Sequence, residues 1–353
     1  MTVYLYMLFF TLSFYVINKL RYNKKVEKLL LFLLFLMLFI VSAIRKYVGT
    51  DYGVYLYYYS GIENKIYDGE GMEIGYFYLN KITKYLFGGE YTIFIVTSLI
   101  IIGLVYFTVK KFSVDPILSV ILFMCIGLYL GSFNIIRQSI AISLIFYSYR
   151  YCETKFKWII PILIASLFHR TALLVIPFFL IAKMNLQKKH YNIIIIVGIF
   201  LFLTYGRTVV YLTNIIEGFS HYKDSIFVTQ GANPIRTIIS ISILIFCFTC
   251  YENIMKDKKM KFAFTMIVFG SIFTLFMLKG KIFARVVGYF DVFSILIIPY
   301  VIKHMKKYKM KKYGTFITMA IICCSSFYFY YSIRTNQGNV LPYRTYVNEQ
   351  RIY

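Results

Sequence analysis

Long apolar segments recur along the whole chain and decide what it can fold into. Runs of about 17 to 25 apolar residues, long enough to cross a bilayer as helices, follow one another with no soluble-sized stretch between them. Hydrophobic residues make up 59% of the 353 residues and charged residues 15%. Water-soluble domains carry about 25% charged residues, so the low charged fraction of this chain excludes a water-soluble fold. The sequence therefore predicts an all-α, polytopic integral membrane protein in which residues 1–353 form a single transmembrane domain.

Ten of the apolar segments are interpreted as ordinary membrane spans. The first has no small-residue cleavage site after it, so we expect it to be retained rather than removed as a signal peptide. The ten predicted spans are Val3 to Leu20, Leu29 to Ile44, Tyr91 to Val109, Pro116 to Phe133, Ile135 to Tyr149, Tyr191 to Leu212, Ile235 to Tyr251, Phe262 to Leu278, Ile282 to Ile302 and Tyr313 to Tyr331.

The net charge of +24 lies largely in short basic clusters between the apolar runs. Such clusters encode membrane topology, and their distribution argues against a nucleic-acid partner. Both termini and two large loops, residues 45–90 and 206–233, are then predicted to be extracytoplasmic. Reporter fusions that place residues 183–190 outside would contradict this topology. The clusters predicted to be cytoplasmic are Lys19 to Lys28, Lys110 with Lys111, Arg150 to Lys157, Lys183 to Lys189, Lys256 to Lys261 and Lys303 to Lys312.

The segment from Trp158 to Ala182 is exceptional, because basic clusters flank it on both sides and would place both of its ends in the cytoplasm. His169 and Arg170 lie at its centre, where ionisable side chains are costly unless the helix breaks or faces a water-filled cavity. We therefore expect two short half-helices that meet near His169, as a broken or re-entrant hairpin inserted from the cytoplasm.

Polar residues of the first outer loop are candidates for chemistry, since Arg45, Asp51 and Glu73 lie close to the membrane surface. Tyr55, Tyr58 and Tyr59 share a helical face with Asp51. Tyrosine rings beside a carboxylate can bind a sugar through its apolar face and its hydroxyl groups. An interfacial aromatic belt explains the same tyrosines equally well, and both interpretations stay open.

Arginines near the outer ends of spans are candidates for phosphate binding. Arg137, followed by Gln138, opens one span, and Arg285 lies one helical turn before Tyr289 in another. A guanidinium offers a planar fork of donors that matches phosphate oxygens. The alternative to phosphate binding by Arg137 is that its long side chain only extends from the helix end to the membrane surface. Asp291 lies deeper and is expected to pair with an arginine or lysine from another helix.

His169 can transfer a proton near neutral pH or bind phosphate when charged, and a purely structural histidine is the alternative. A weaker group in the second outer loop has the simpler explanation of a solvated surface. The histidines are far apart and no acidic pair has metal-ligand spacing, so neither a metal nor a cofactor is expected. The members of the weaker group are Arg207, Glu217, His221 and Lys223.

Five short sequence blocks contain most of these candidates. In chain order they are Arg45 with Val48 to Tyr52 and Tyr55, Glu73-x-Gly75-Tyr76, Arg137-Gln138-x-x-Ala141, Phe168-His169-x-Thr171-Ala172 with Pro177, and Arg285-x-x-x-Tyr289-Phe290. Taken in this order, the blocks resemble EpsG/Wzy-type polysaccharide polymerases over roughly residues 40–300. Arg170 departs from the pattern, which more often has an uncharged residue or a lysine after the histidine.

The resemblance implies an enzyme of the bacterial cytoplasmic membrane that joins oligosaccharide repeat units carried on undecaprenyl diphosphate, for capsule, exopolysaccharide or O-antigen. The lipid-linked oligosaccharide and membrane lipid are the implied partners, with a chain-length regulator and a flippase as candidate protein partners. Asp51 or His169 is implied to orient or deprotonate the attacking hydroxyl. The residues implied to bind substrate are Arg45, Tyr52, Glu73, Arg137, Gln138, Arg285 and Tyr289.

Two other functions remain open at this point. A transporter or flippase of lipid-linked sugar is expected to have repeated halves and polar residues in both leaflets, whereas the polar residues here gather at the outer ends of spans. A glycosyltransferase or ligase with a polyprenyl donor usually carries an acid in an outer loop after the first span. Here the first outer loop follows the second span.

Overall fold

The computed structural model describes residues 1–20, 23–63, 71–206, 230–232, 234–307 and 311–346. These residues form helices and contain no β-strand, apart from an isolated bridge between Arg45 and Thr345. The predicted all-α class is confirmed. The weaker candidate group in the second outer loop, Arg207 to Lys223, lies outside the described residues.

The helices form two compact units. The first contains Met1–Tyr151, Lys155–Leu173 and Met305–Tyr353, and the second contains Cys152–Thr154 and Leu174–His304. The helices of the first unit are α1 Thr2–Leu20, α2 Lys24–Ala43, α3 Tyr52–Glu63, α4 Ile74–Phe87, α5 Thr92–Phe112, α6 Pro116–Cys125, α7 Leu128–Gly131, α8 Ile136–Ser148, α9 Ile159–Phe168 and α17 Lys311–Arg334. Those of the second are α10 Val175–Ala182, α11 Lys188–Leu203, α12 Ile235–Phe248, α13 Tyr251–Lys256, α14 Lys258–Met277, α15 Phe283–Asp291 and most of α16 Ser294–Lys307.

Among the described residues, five helices are long and apolar enough to cross a membrane, which makes the chain a multi-pass membrane protein. Helices α15 and α16 add a sixth span if they are counted together, with a bend of 43° between them. Five or six is fewer than the ten spans predicted. The five segments are Thr2–Leu20, Lys24–Ala43, Thr92–Phe112, Lys258–Met277 and Tyr313–Arg334.

The other predicted spans give shorter helices because the backbone breaks inside or beside them. The run from Pro116 to Phe133 is divided at Gly127, whose φ of +92° is left-handed, and α6 has only 10 residues. Ten residues of α-helix rise about 15 Å, half of a typical hydrocarbon core. Helices α8 and α12 have 13 and 14 residues. Helix α11 has 16 residues, and the end of its apolar run lies outside the described part of the chain.

The segment predicted to be a hairpin is interrupted at its centre. Helix α9 ends at Phe168, and His169 has extended backbone angles of φ −157° and ψ 110°. A 3-10 turn, Arg170–Leu174, then precedes α10. The predicted break near His169 is therefore confirmed.

The end of this segment lies beside the residues that precede its start. Within the second unit, Lys183 Nζ donates to the carbonyl oxygen of Cys152 at 2.9 Å and to that of Thr154. A hairpin requires this return of the chain. Insertion from the cytoplasmic side stays a prediction.

One end of the first unit brings together the two termini of the described chain. The Tyr4 hydroxyl donates to the Val340 carbonyl at 3.0 Å, and the bridge from Arg45 to Thr345 adds the first outer loop. The N-terminal helix, that loop and the C-terminal segment therefore meet at one end of the first unit. Which side faces the cytoplasm stays a prediction.

Candidate active site

Three of the predicted site residues meet in the first unit. The Glu73 carboxylate pairs with the Arg137 guanidinium through Oε2 and lies 3.1 Å from His169 Nδ1 through Oε1. The side chains of Glu73, His169 and Arg137 are 13%, 16% and 27% exposed, so the group is largely buried and still accessible. We call these three residues the Glu73 cluster.

Each member of the Glu73 cluster lies at the end of a helix. Glu73 is the N-cap of α4, but its side chain makes no capping hydrogen bond and points to Arg137 and His169 instead. Arg137 lies in the first turn of α8. His169 follows α9, and its N–H donates to the Ala165 carbonyl at 2.9 Å. The break in the predicted hairpin thus places the imidazole against the start of α4.

Gly75 allows α4 and α9 to approach each other. A Cβ at Gly75 would lie 2.8 Å from the Cβ and from the carbonyl oxygen of Leu167, which is shorter than the non-bonded contacts that Cβ atoms make in proteins. Glu73 can therefore reach His169 because the residue two positions later has no side chain. The Glu73-x-Gly75 spacing has a steric reason that the sequence alone did not reveal.

The substitution Gly75→Ala is expected to push α4 away from α9 and to separate Glu73 from His169. Overpacking of this kind costs about 1–3 kcal/mol, so the purified protein should melt at a lower temperature in detergent. Gly53→Ala in α3 is the matched control, because an added Cβ there meets no atom within 4 Å. Equal melting temperatures for the two variants would contradict the steric role of Gly75.

The ionised carboxylate of Glu73 fixes the tautomer of His169. Burial raises the pKa of Glu73, but the hydrogen bond from His169 and the charge of Arg137 act against it, and the net pKa lies below the usual value. Glu73 is therefore a carboxylate at neutral pH, which can only accept hydrogen bonds. His169 Nδ1 must then donate, so Nε2 is the acceptor of the neutral ring.

His169 Nε2 is buried and has no hydrogen-bond partner among the residues that the structure describes. Buried polar atoms without partners are uncommon, and each calls for an explanation. A substrate hydroxyl that enters the site would supply the missing donor. The arrangement has the chemical form of a carboxylate-oriented histidine base.

Three tyrosines of α3, Tyr52, Tyr55 and Tyr59, pack inward. Tyr55 is 4% exposed and meets the ring of Tyr76 edge-on, with 5.7 Å between ring centroids. Tyr59 is also buried, and Tyr52 stacks on a phenylalanine of α5 at 4.1 Å. Tyr55 and Tyr59 therefore belong to a buried core instead of forming an open sugar-binding face. Substrate binding by Tyr52 stays a prediction.

Arg45, Asp51 and Gln138 lie in the same unit outside the Glu73 cluster. Arg45 is 1% exposed, donates to the Ser42 carbonyl and lies over the ring of Phe133 at 4.6 Å. Asp51 is half-buried at the start of α3, and Gln138 is 3% exposed beside Arg137. Their roles toward substrate stay predictions.

The model of the EpsG family matches residues 28–345. The chain belongs to the EpsG family. The matched range contains the whole Glu73 cluster, and it confirms the resemblance drawn from the order of the motifs. EpsG-family membership supports a polysaccharide polymerase-type role in general terms. No curated protein and no solved structure matches the chain.

The second unit of this EpsG-family protein holds the other predicted site residues. Arg285 is exposed in the first turn of α15, and Tyr289 is buried in the same helix. Asp291 pairs with Arg236 of α12, whose Nε and terminal nitrogen both lie 3.1 Å from Asp291 Oδ2. Asp291 therefore pairs with an arginine from another helix, as expected.

Sequence reasoning missed Arg236 as that partner. Its signal was an arginine within the first three residues of a predicted apolar span, as for Arg137. Among the residues that the structure describes in this EpsG-family chain, no group of three or more His, Cys, Asp or Glu side chains could hold a metal ion.

Proposed function

We propose that the chain is a polymerase of lipid-linked oligosaccharide repeat units in capsule, exopolysaccharide or O-antigen synthesis. It would transfer a glycan from undecaprenyl diphosphate to an acceptor at the outer face of the bacterial cytoplasmic membrane. EpsG-family membership supports the class of activity. The observation that carries the proposal is the Glu73 cluster, which joins a proton acceptor, an orienting carboxylate and a guanidinium in one accessible group.

In the proposed reaction, the acceptor hydroxyl gives its proton to His169 Nε2 as its oxygen bonds to the anomeric carbon of the donor. The bond from that carbon to the diphosphate oxygen breaks, and its electron pair leaves with the diphosphate. Glu73 holds the ring through Nδ1 and stabilises the imidazolium that forms. A base in this position contributes about 10²–10⁴-fold to the rate.

Arg137 is proposed to bind the donor diphosphate and to offset the charge that develops as it leaves. A guanidinium has five N–H donors, so Arg137 can bind a phosphate oxygen while it bonds to Glu73. The residues proposed to make further contacts with the substrate are Arg45, Asp51, Tyr52, Gln138, Arg285 and Tyr289.

This reaction requires the Glu73 cluster to face the outside, with the basic loops in the cytoplasm and both termini outside. The contact between Glu73 and His169 supports that topology. Glu73 belongs to the first outer loop, so a hairpin that enters from the cytoplasm can place His169 beside it only by reaching the outer end of the unit. A chain-length regulator and a flippase are the proposed protein partners.

Deletion of the gene, followed by analysis of surface polysaccharide and lipid-linked intermediates, tests the proposed function. Long chains should disappear while single repeat units on undecaprenyl diphosphate accumulate outside the membrane, and the wild-type gene should restore the long chains. Loss of all lipid-linked repeats from the outer face would indicate a transporter or flippase instead. Repeat units that lack one sugar would indicate a glycosyltransferase with a polyprenyl donor.

A further inference from the structure

The segment after α17 returns to the first outer loop. We call residues 335–346 the C-terminal strap. The Lys46 N–H donates to the Arg344 carbonyl at 2.8 Å, and the Gly49 N–H donates to the Asn339 carbonyl at 2.9 Å. The strap therefore lies along the stretch that leads into Asp51.

The side chain of Asn134 joins the strap to the loop. Its Oδ1 accepts from the Thr50 N–H at 2.7 Å, and its Nδ2 donates to the Gly338 carbonyl at 3.1 Å. A Cβ at Gly49 would lie 2.6 Å from Asn134 Oδ1, and a Cβ at Gly338 would lie 2.3 Å from Nδ2. Both glycines have left-handed backbone, with φ of +109° and +74°. The amide thus occupies a slot between two glycines, one in each segment.

Asn134 is also connected to the Glu73 cluster. It precedes Arg137 by three residues at the start of α8. Thr50, whose N–H it binds, donates through its hydroxyl to Asp51 Oδ1 at 2.8 Å. Tyr55 follows in α3, close enough to Arg137 for the guanidinium charge to act on its hydroxyl. The Asn134 amide therefore fixes the register between the loop that carries Asp51 and the helix that carries Arg137.

We propose that Asn134 is a positioning residue of the active site, and that the C-terminal strap holds its amide in place through Gly338. Both hydrogen bonds of the Asn134 amide are needed, because either bond alone would leave one of the two segments free to shift. The loss of polymer expected when Asn134 is replaced rests on the proposed function, whereas the expected loosening of the loop that leads to Asp51 does not.

Proteolysis of the purified full chain tests the effect on the loop. Arg45 and Lys46 are trypsin sites that are only 1% and 8% exposed. The wild type and a truncation after Tyr346 should resist cleavage there, whereas Asn134→Ala and a truncation after Arg334 should release the fragment that ends at residue 45 or 46. Resistance of Asn134→Ala equal to wild type would overturn the proposal, even if activity were lost.

Complementation of the deletion strain, at equal amounts of membrane protein, tests the positioning role. Misplacement by about 1 Å costs on the order of 10²-fold in rate, so Asn134→Ala should lower polymer by about 10-fold to 10²-fold. Asn134→Asp keeps the acceptor for Thr50 and should recover part of the loss. Gln337→Ala, which removes an exposed amide of the strap, should match wild type.

Wild-type polymer from Asn134→Ala together with a cleaved loop would overturn the positioning role. Failure of the wild-type gene to restore long chains would refute the proposed function, and the proteolysis result would still decide the strap contact.

Discussion

Replacement of His169 by alanine is expected to abolish long-chain polymer while single lipid-linked repeat units accumulate outside the membrane. The substitution removes Nε2, which we propose as the proton acceptor and which has no hydrogen-bond partner in the described part of the chain. Loss of a general base costs about 10²–10⁴-fold in rate. Gel separation of surface polysaccharide from the complemented deletion strain measures the effect.

His190→Ala is the matched control for His169→Ala. The His190 ring accepts from the Gln187 N–H at 2.9 Å at the start of α11 in the second unit, and it has no part in the proposed reaction, so polymer should match wild type. Glu73→Gln provides an independent check, since an amide can donate to Nδ1 and favour the wrong tautomer of His169. Normal polymer from His169→Ala would remove this residue from the mechanism.

Arg137→Ala is expected to have the second large effect, on both stability and polymer. It leaves the Glu73 carboxylate, 13% exposed, without its cation. Breaking a fully buried pair costs about 3–5 kcal/mol, and the partial exposure of Arg137 should place this cost near the lower end. The melting temperature in detergent and the polymer yield should therefore fall together.

The lysine variant separates charge from geometry at position 137. Arg137→Lys keeps the charge beside Glu73 but loses the planar fork, so it should recover much of the stability and little of the polymer. Arg334→Ala is the control, because Arg334 is exposed at the end of α17 and bonds to the Tyr330 hydroxyl at 3.2 Å. Full polymer from Arg137→Lys would contradict a fork-shaped phosphate contact.

The members of the Glu73 cluster could be identified from the sequence one at a time. Each is an ionisable residue near a predicted outer end or at a helix break, where a charge needs a partner or a function. Their mutual contact could not be predicted, because Glu73 lies 64 residues from Arg137 and 96 from His169. Only the packing of α4 on α9, made possible by Gly75, brings them together.

The number of spans was overestimated for a different reason. Hydropathy averages over windows of about 19 residues and cannot detect a single left-handed residue such as Gly127. Asn134 was missed because an asparagine beside a helix has many ordinary uses. Its two bonds become visible only when residues 50 and 338 are seen together.

The order of the chain has a consequence for biogenesis. Residues Leu174–His304 of the second unit are inserted in sequence between parts of the first, and the Tyr4 to Val340 hydrogen bond joins residues 336 positions apart. During synthesis the helices that precede the insertion must therefore stay in the membrane without α17 and the C-terminal strap while the whole insertion is made. The hydrogen bond from Asn134 to Gly338 can form only after Gly338 has left the ribosome, so this contact is one of the last that folding can make.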